Sequence, residues 1–148
     1  MRPHIRPARE EDLPALLHLE NICFKEEKFH KRQLEYLLNK AKSLVLVASI
    51  GDDIAGSMIV LLRYNIRSAR IYSLNVHPKY RRRGLAKMLI DRGIEFAENE
   101  GFKKVTLEVG VNNRSAQNLY KLKGFLIDNV LKCYYKDGGD ALHLIHEL

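Results

Sequence analysis

Leu74-Asn75-Val76-His77-Pro78-Lys79-Tyr80-Arg81-Arg82-Arg83-Gly84-Leu85-Ala86 is the stretch whose reading decides the fold. Upstream of it, Ala69 to Val76 alternates like a partly buried strand. Downstream, Leu85, Ala86, Leu89, Ile90, Gly93, Ile94 and Ala97 fall on one helical face. The segment is therefore a strand giving way to a helix, with a glycine at the helix entrance. The first helical turn leaves backbone N–H groups unpaired, and Gly84 lets an anion approach the chain closely. Lys79, Arg81, Arg82, Arg83 and Lys87 add positive charge at the same end. Chain geometry and charge agree on a phosphate or pyrophosphate site, against the competing reading of a solvated basic loop.

Working outward, His4-Ile5-Arg6 starts a short strand, and Arg9 to Cys23 reads as a helix carrying Leu13, Leu16, Leu17 and Leu19. A polar break from Lys25 to Lys28 precedes a second helix near Arg32 to Lys40. Ser43 to Ile50 reads as a largely buried strand. A turn at Gly51-Asp52-Asp53 leads back into an antiparallel neighbour from Ile54 to Leu62. The helix from Gly84 to Asn99 closes at Gly101, which suits a left-handed cap. Lys104 to Val109 is a strand, Ser115 to Lys123 a helix ending at Gly124, and Phe125 to Tyr135 and Ala141 to Leu148 are two last strands joined around Gly138-Gly139. The pattern implies a mixed α/β single domain: a twisted sheet of about seven strands with about four helices on its faces.

The 148 residues suffice for one hydrophobic core, and 46% hydrophobic with 29% charged residues is an ordinary soluble composition. No apolar run is long enough for a bilayer and no signal-peptide core follows Met1, so the expected location is the cytoplasm, with no membrane partner. Cys23 and Cys133 suit a reducing compartment and read as small apolar or half-buried residues. The net charge of +7 is compatible with nucleic acid, an anionic cofactor or acidic partners. No basic aromatic array favours nucleic acid, and none is required. No His, Cys or carboxylate cluster has a metal spacing, and His143 and His146, three apart in a strand, face opposite sides.

The chain resembles the GNAT superfamily of N-acetyltransferases, and within it the ribosomal-protein-alanine and protein N-terminal acetyltransferase branch. The resemblance rests on Leu74 through Ala86, on Leu107-Glu108-Val109 with Asn113, Leu119-Tyr120 and Gly124-Phe125, and on Tyr134-Tyr135 with Asp140-Ala141. It implies acetyl-CoA as co-substrate and a protein N-terminus or peptide as acceptor, in a monomer or homodimer. The pyrophosphate is expected on the loop Arg81, Arg82, Arg83, Gly84, Leu85, Ala86 and Lys87, and the pantetheine beside Leu74, Asn75 and Val76. The resemblance further implies Asn113 as a cofactor contact, Glu108 as general base, Tyr120 as general acid and cofactor contact, and Tyr134 and Tyr135 beside the acceptor. Two places depart from the branch: Lys25-Glu26-Glu27-Lys28 replaces a bulky segment, and Gly110 stands where an arginine commonly follows.

On their own chemistry these residues admit more than one role. Acetyl transfer to an amine needs a neutral nucleophile, a held carbonyl and a stabilised leaving sulfur. Glu108 is the only acid in an apolar strand and points away from Leu107 and Val109, toward the opposite face. It is either a proton acceptor or a sheet-edge carboxylate paired with a Lys or Arg. Tyr120 is a proton donor or a core tyrosine, and Asn113 a cofactor contact or a helix cap. Lysine side chains, small amines and antibiotics remain alternative acceptors, and a non-catalytic acyl-CoA-binding regulator the alternative class.

Overall fold

The computed structural model describes residues 2–23, 31–39 and 42–148. The polar break from Lys25 to Lys28 and the end of the second helix at Lys40 lie outside the described residues. Among the described residues there are seven strands: β1 (His4–Pro7), β2 (Ser43–Ile50), β3 (Asp53–Arg63), β4 (Ser68–Val76), β5 (Lys104–Gly110), β6 (Leu126–Leu131) and β7 (Ala141–Glu147). They form one sheet in the order β1-β2-β3-β4-β5-β7-β6. All neighbours are antiparallel except β4 and β5. The described α-helices that accompany them are α1 (Leu13–Cys23), α2 (Lys31–Asn39), α3 (Leu85–Asn99) and α4 (Arg114–Leu122). The mixed α/β architecture expected from the periodicity is the one observed.

Alternation along the central strands explains why both faces are covered. Val45, Val47 and Ile59 pack against Leu13 and Leu16 of α1 and Leu34 and Leu37 of α2. On the opposite face, Leu46, Met58, Val60, Ile71, Val105 and Leu107 pack with Leu85, Leu89 and Ile90 of α3 and with Phe125. Gly93 brings α3 close to β3: a Cβ there would lie 2.5 Å from Met58 Cε.

The first helix starts later than its periodicity suggests. Glu10–Asp12 is a 3-10 turn, and α1 begins at Leu13. Asp12 explains the join: its carboxylate accepts from Arg6 Nη1 and Nη2 at 2.8 and 3.0 Å and from Arg9 N at 2.7 Å. The Arg6 hydrogen bond holds the buried Asp12 carboxyl below the usual carboxylate range. A depressed folded-state pKa contributes stability that is present above the unfolded value and lost as pH falls through the folded one. D12N should therefore lower unfolding free energy at pH 7 by about 1–3 kcal/mol, with the deficit shrinking in acid. Equal denaturation midpoints for parent and variant at pH 7 would contradict this.

The last strands also need correction. Phe125 to Tyr135 is not one strand, because β6 stops at Leu131. Asp140 accepts from Cys133 N at 2.9 Å and pairs with Lys132 Nζ at 3.3 Å, which draws the chain into a turn. Cys133 takes a positive φ of 51° there and is exposed rather than half-buried. Tyr134 and Tyr135 consequently sit in the β6–β7 connection.

The parallel β4–β5 pairing places the site. It covers only Ser68 to Arg70 against Lys104 to Thr106. Beyond it, β4 stays with β3 as far as Val76 and β5 stays with β7 as far as Gly110, so the two strands diverge. A β-bulge starts the divergence: Val60 pairs with Ile71 and Ile59 with Ser73, leaving Tyr72 as the extra residue. The helix α4 closes the far end, where Gln117 Nε2 donates to the carbonyls of Gly110 and Val111 at 2.8 and 2.9 Å. No described helix is long and apolar enough to cross a membrane.

Candidate active site

Two cavities meet at the opening between β4 and β5. The first, about 560 Å³, is lined by Leu74, Asn75 and Val76, by Arg81, Arg82, Gly84, Leu85, Ala86 and Lys87, and by Asn113, Ala116 and Tyr120. The second, about 520 Å³, is lined by Arg70, Tyr72, Glu108, Tyr120, Tyr134 and Tyr135 among others. Leu74, Asn113, Ala116 and Tyr120 border both. Arg83 is the one expected loop residue outside the lining; its guanidinium lies 5.3 Å from the Tyr80 ring centroid.

The basic loop is held from below. Tyr80 Oη donates to Asp53 Oδ2 at 2.6 Å, and Arg81 Nε donates to the Val76 carbonyl at 3.2 Å. Arg82 and Gly84 both have positive φ, 65° and 79°. For Arg82 that conformation costs about 1–2 kcal/mol, a strain typical of functional loops. Such a backbone can turn successive N–H groups into one concavity, here joined to the start of α3. A Cβ on Gly84 would have open space, so only its backbone conformation resists substitution. G84V should therefore rearrange the loop rather than clash, lowering acetyl-CoA affinity about tenfold in a protein that still folds. Calorimetric titration of folded G84V decides this, and unchanged affinity would displace the anion site from this loop.

Tyr120 lies where the cavities join, its ring edge-on to Phe125 at 5.9 Å. Burial pushes its hydroxyl pKa up to about 12, with a smaller contribution from Tyr135. The group stays a hydrogen-bond donor through neutral pH. Asn113 combines its two readings: its Oδ1 accepts from Ala116 N at 3.3 Å as the cap of α4, and it borders both cavities.

Glu108 lies beyond the β4–β5 pairing, where β5 is paired with β7 on one side and opened by the divergence on the other. Both its oxygens are engaged. Arg70 Nε and Nη2 lie 2.8 and 2.6 Å from Oε1, and His143 Nδ1 lies 2.8 Å from Oε2. Arg70 Nη2 also donates to Tyr134 Oη at 3.0 Å. His146 is on the other face of β7, packed on Phe125 at 5.4 Å. Among the described residues no group of three or more His, Cys, Asp and Glu could hold a metal.

The first cavity fits acetyl-CoA on three observations. It offers the start of α3 with cationic side chains for a pyrophosphate, a strand edge opened by the bulge for an extended amide chain, and Tyr120 where it meets the second cavity. Its residues would hold the nucleotide at the basic loop and direct the thioester toward the second cavity.

A seven-stranded sheet thus opens between its parallel strands beside a basic strand-to-helix loop. The acetyltransferase (GNAT) family model matches residues 13–125, and the chain belongs to this family. The chain is 32% identical over 155 residues to the N-alpha-acetyltransferase daf-31 of Caenorhabditis elegans, covering 98% of this chain and 82% of that one. It spans only 39–41% of three longer relatives. Among solved structures, a chain of the NatC complex bound to Gag peptide and CoA superposes with a TM-score of 0.86 at 26% identity, covering 100% and 99% of the two chains. The ribosomal-protein-S18-alanine N-acetyltransferase from Escherichia coli superposes at 0.89 with 24% identity, covering 99% and 94%, and shows the shared fold. Family and fold support an acetyl-CoA-dependent transfer to an amine.

Arg70, His143 and the Tyr72 bulge are the features of the site that sequence reading missed. A lone arginine in an otherwise half-buried strand was the available signal for Arg70. Nothing local marks His143 as the neighbour of Glu108.

Proposed function

We propose that this chain transfers an acetyl group from acetyl-CoA to the N-terminal α-amine of a protein or peptide. The observation that carries the reading is the meeting of a basic, helix-capped cavity and a tyrosine- and glutamate-lined cavity through the opened sheet. The N-alpha-acetyltransferase relative and the likeness to a chain of the NatC complex, a complex bound to Gag peptide and CoA, support the choice of acceptor. Acetyl-CoA supplies the acyl group already activated as a thioester.

Within this reading the amine enters from the Tyr134–Tyr135 side. Glu108 accepts the proton that the nitrogen sheds as its bond to the acetyl carbon forms, directly or through water. Tyr120 directs its hydroxyl at the sulfur as the carbon–sulfur bond breaks. A phenol of pKa about 12 gives up its proton reluctantly, so hydrogen bonding to the developing thiolate is its main contribution. The same burial raises the sulfur's own basicity, which narrows the gap. Thiol release from acetyl-CoA with matched peptides tests the function. Release is expected with a free N-terminus and lost when it is blocked. Release with small polyamines but with no peptide would overturn it.

A further inference from the structure

The acceptor cavity carries a charge arrangement that bears on which amine it takes, an inference that rests on the reading just given. Arg70 occupies the last paired rung of β4 with β5, where the strands begin to part. Its side chain reaches across that opening to Glu108 and Tyr134, and its guanidinium lies 5.2 Å from the Tyr72 ring centroid. The pair is shielded, with side-chain exposures of 24% for Arg70 and 10% for Glu108. Beyond Glu108 stands His143 on β7, whose Nε2 is 4.0 Å from the half-exposed Asp128 on β6.

Around the carboxylate, then, the charges are Arg70 at plus one and Glu108 at minus one, with His143 against the other carboxylate oxygen and the half-exposed Asp128, at minus one, behind it and outside the cavity lining. Arg70 stays protonated at any working pH. A carboxylate alone in this cavity would draw in an ammonium. The Arg70–Glu108 pair has no net charge to do so, and the guanidinium opposes a second cation placed beside it.

We propose that Arg70 is the specificity-determining residue of the acceptor cavity, excluding ammonium groups so that the site takes an amine arriving neutral. An α-amine, with an ordinary pKa of about 8, is partly neutral at physiological pH, whereas a lysine ε-amine near 10.4 is almost wholly charged. The reaction balances on this footing. The neutral nitrogen's lone pair forms the bond to the acetyl carbon, the carbon–sulfur bond breaks, one N–H proton passes to Glu108 and on to solvent, and CoA leaves as a thiolate hydrogen-bonded by Tyr120. Arg70 thereby separates two amines by their protonation rather than by their shape.

The test compares two peptides, one with a free N-terminus and no lysine, the other N-terminally blocked with a single lysine. For each, kcat/KM is measured from pH 6.5 to 9.5 with wild type, R70Q and R70K. In wild type, lysine acetylation should rise about tenfold per pH unit across this range, following the neutral fraction. At pH 7, R70Q should raise the lysine-to-α-amine ratio about tenfold or more, and R70K should keep the wild-type ratio. A flat lysine profile in wild type, or an unchanged ratio in folded R70Q, overturns the proposal. If R70Q does not fold, R70M carries the same comparison of the lysine-to-α-amine ratio at pH 7, and an unchanged ratio there overturns the proposal. Wild type that releases thiol with neither peptide overturns the functional reading itself, a result distinct from unchanged selectivity.

Discussion

E108Q is expected to lower kcat at saturating acceptor about 100- to 10,000-fold, the usual effect of removing a general base. Acetyl-CoA affinity should stay near the parent's, because Glu108 borders only the acceptor cavity. The substitution also strips Arg70 of the carboxylate 2.6 Å away, which by itself disturbs the site. The double variant R70Q/E108Q separates the two effects, since it restores charge balance without restoring a proton acceptor. A kcat that stays low in the double variant assigns Glu108 to proton transfer. Recovery to within a few fold of the parent would make Glu108 a partner for Arg70 and nothing more.

Y120F comes next in size. Phenylalanine keeps the ring and its edge-on contact with Phe125, so thermal stability should change little. What goes is a half-buried donor at the junction of the cavities, with an expected loss of about 100-fold in the chemical step. Single-turnover measurement is needed because product release can hide the step. The raised pKa adds a sign. A hydroxyl that stays protonated up to about pH 12 gives the parent no basic limb from Tyr120 below pH 10. An activity that falls between pH 8 and 10 and flattens in Y120F would contradict this placement, as would a rate within a few fold of the parent.

What was legible in the chain is what depends on neighbours in sequence. The strand-to-helix passage at Leu74 to Ala86 showed in periodicity and charge, and α3 begins at Leu85 behind Gly84. Alternation alone sent the Glu108 side chain to the opposite face from Leu107 and Val109, and it opens there into the acceptor cavity. Its partners were out of reach. Arg70 lies 38 residues away and His143 lies 35 away, and only the order β4-β5-β7 makes them adjacent. The Tyr72 bulge is equally silent locally, because it is a mismatch in register between two strands that each look regular. The early end of β6 depends on the Asp140 carboxylate, seven residues from the backbone amide it takes out of the strand.

The most direct test of the account is a structure of the protein with CoA and an acceptor peptide bound together. The sulfur should lie within hydrogen-bond reach of Tyr120 Oη, the pyrophosphate on the backbone of residues 82–87, and the peptide's α-amine on the Glu108 side of the opening between β4 and β5. CoA seated elsewhere, or an acceptor nitrogen that reaches the sulfur end without entering the Arg70–Glu108–Tyr134 cavity, would contradict it.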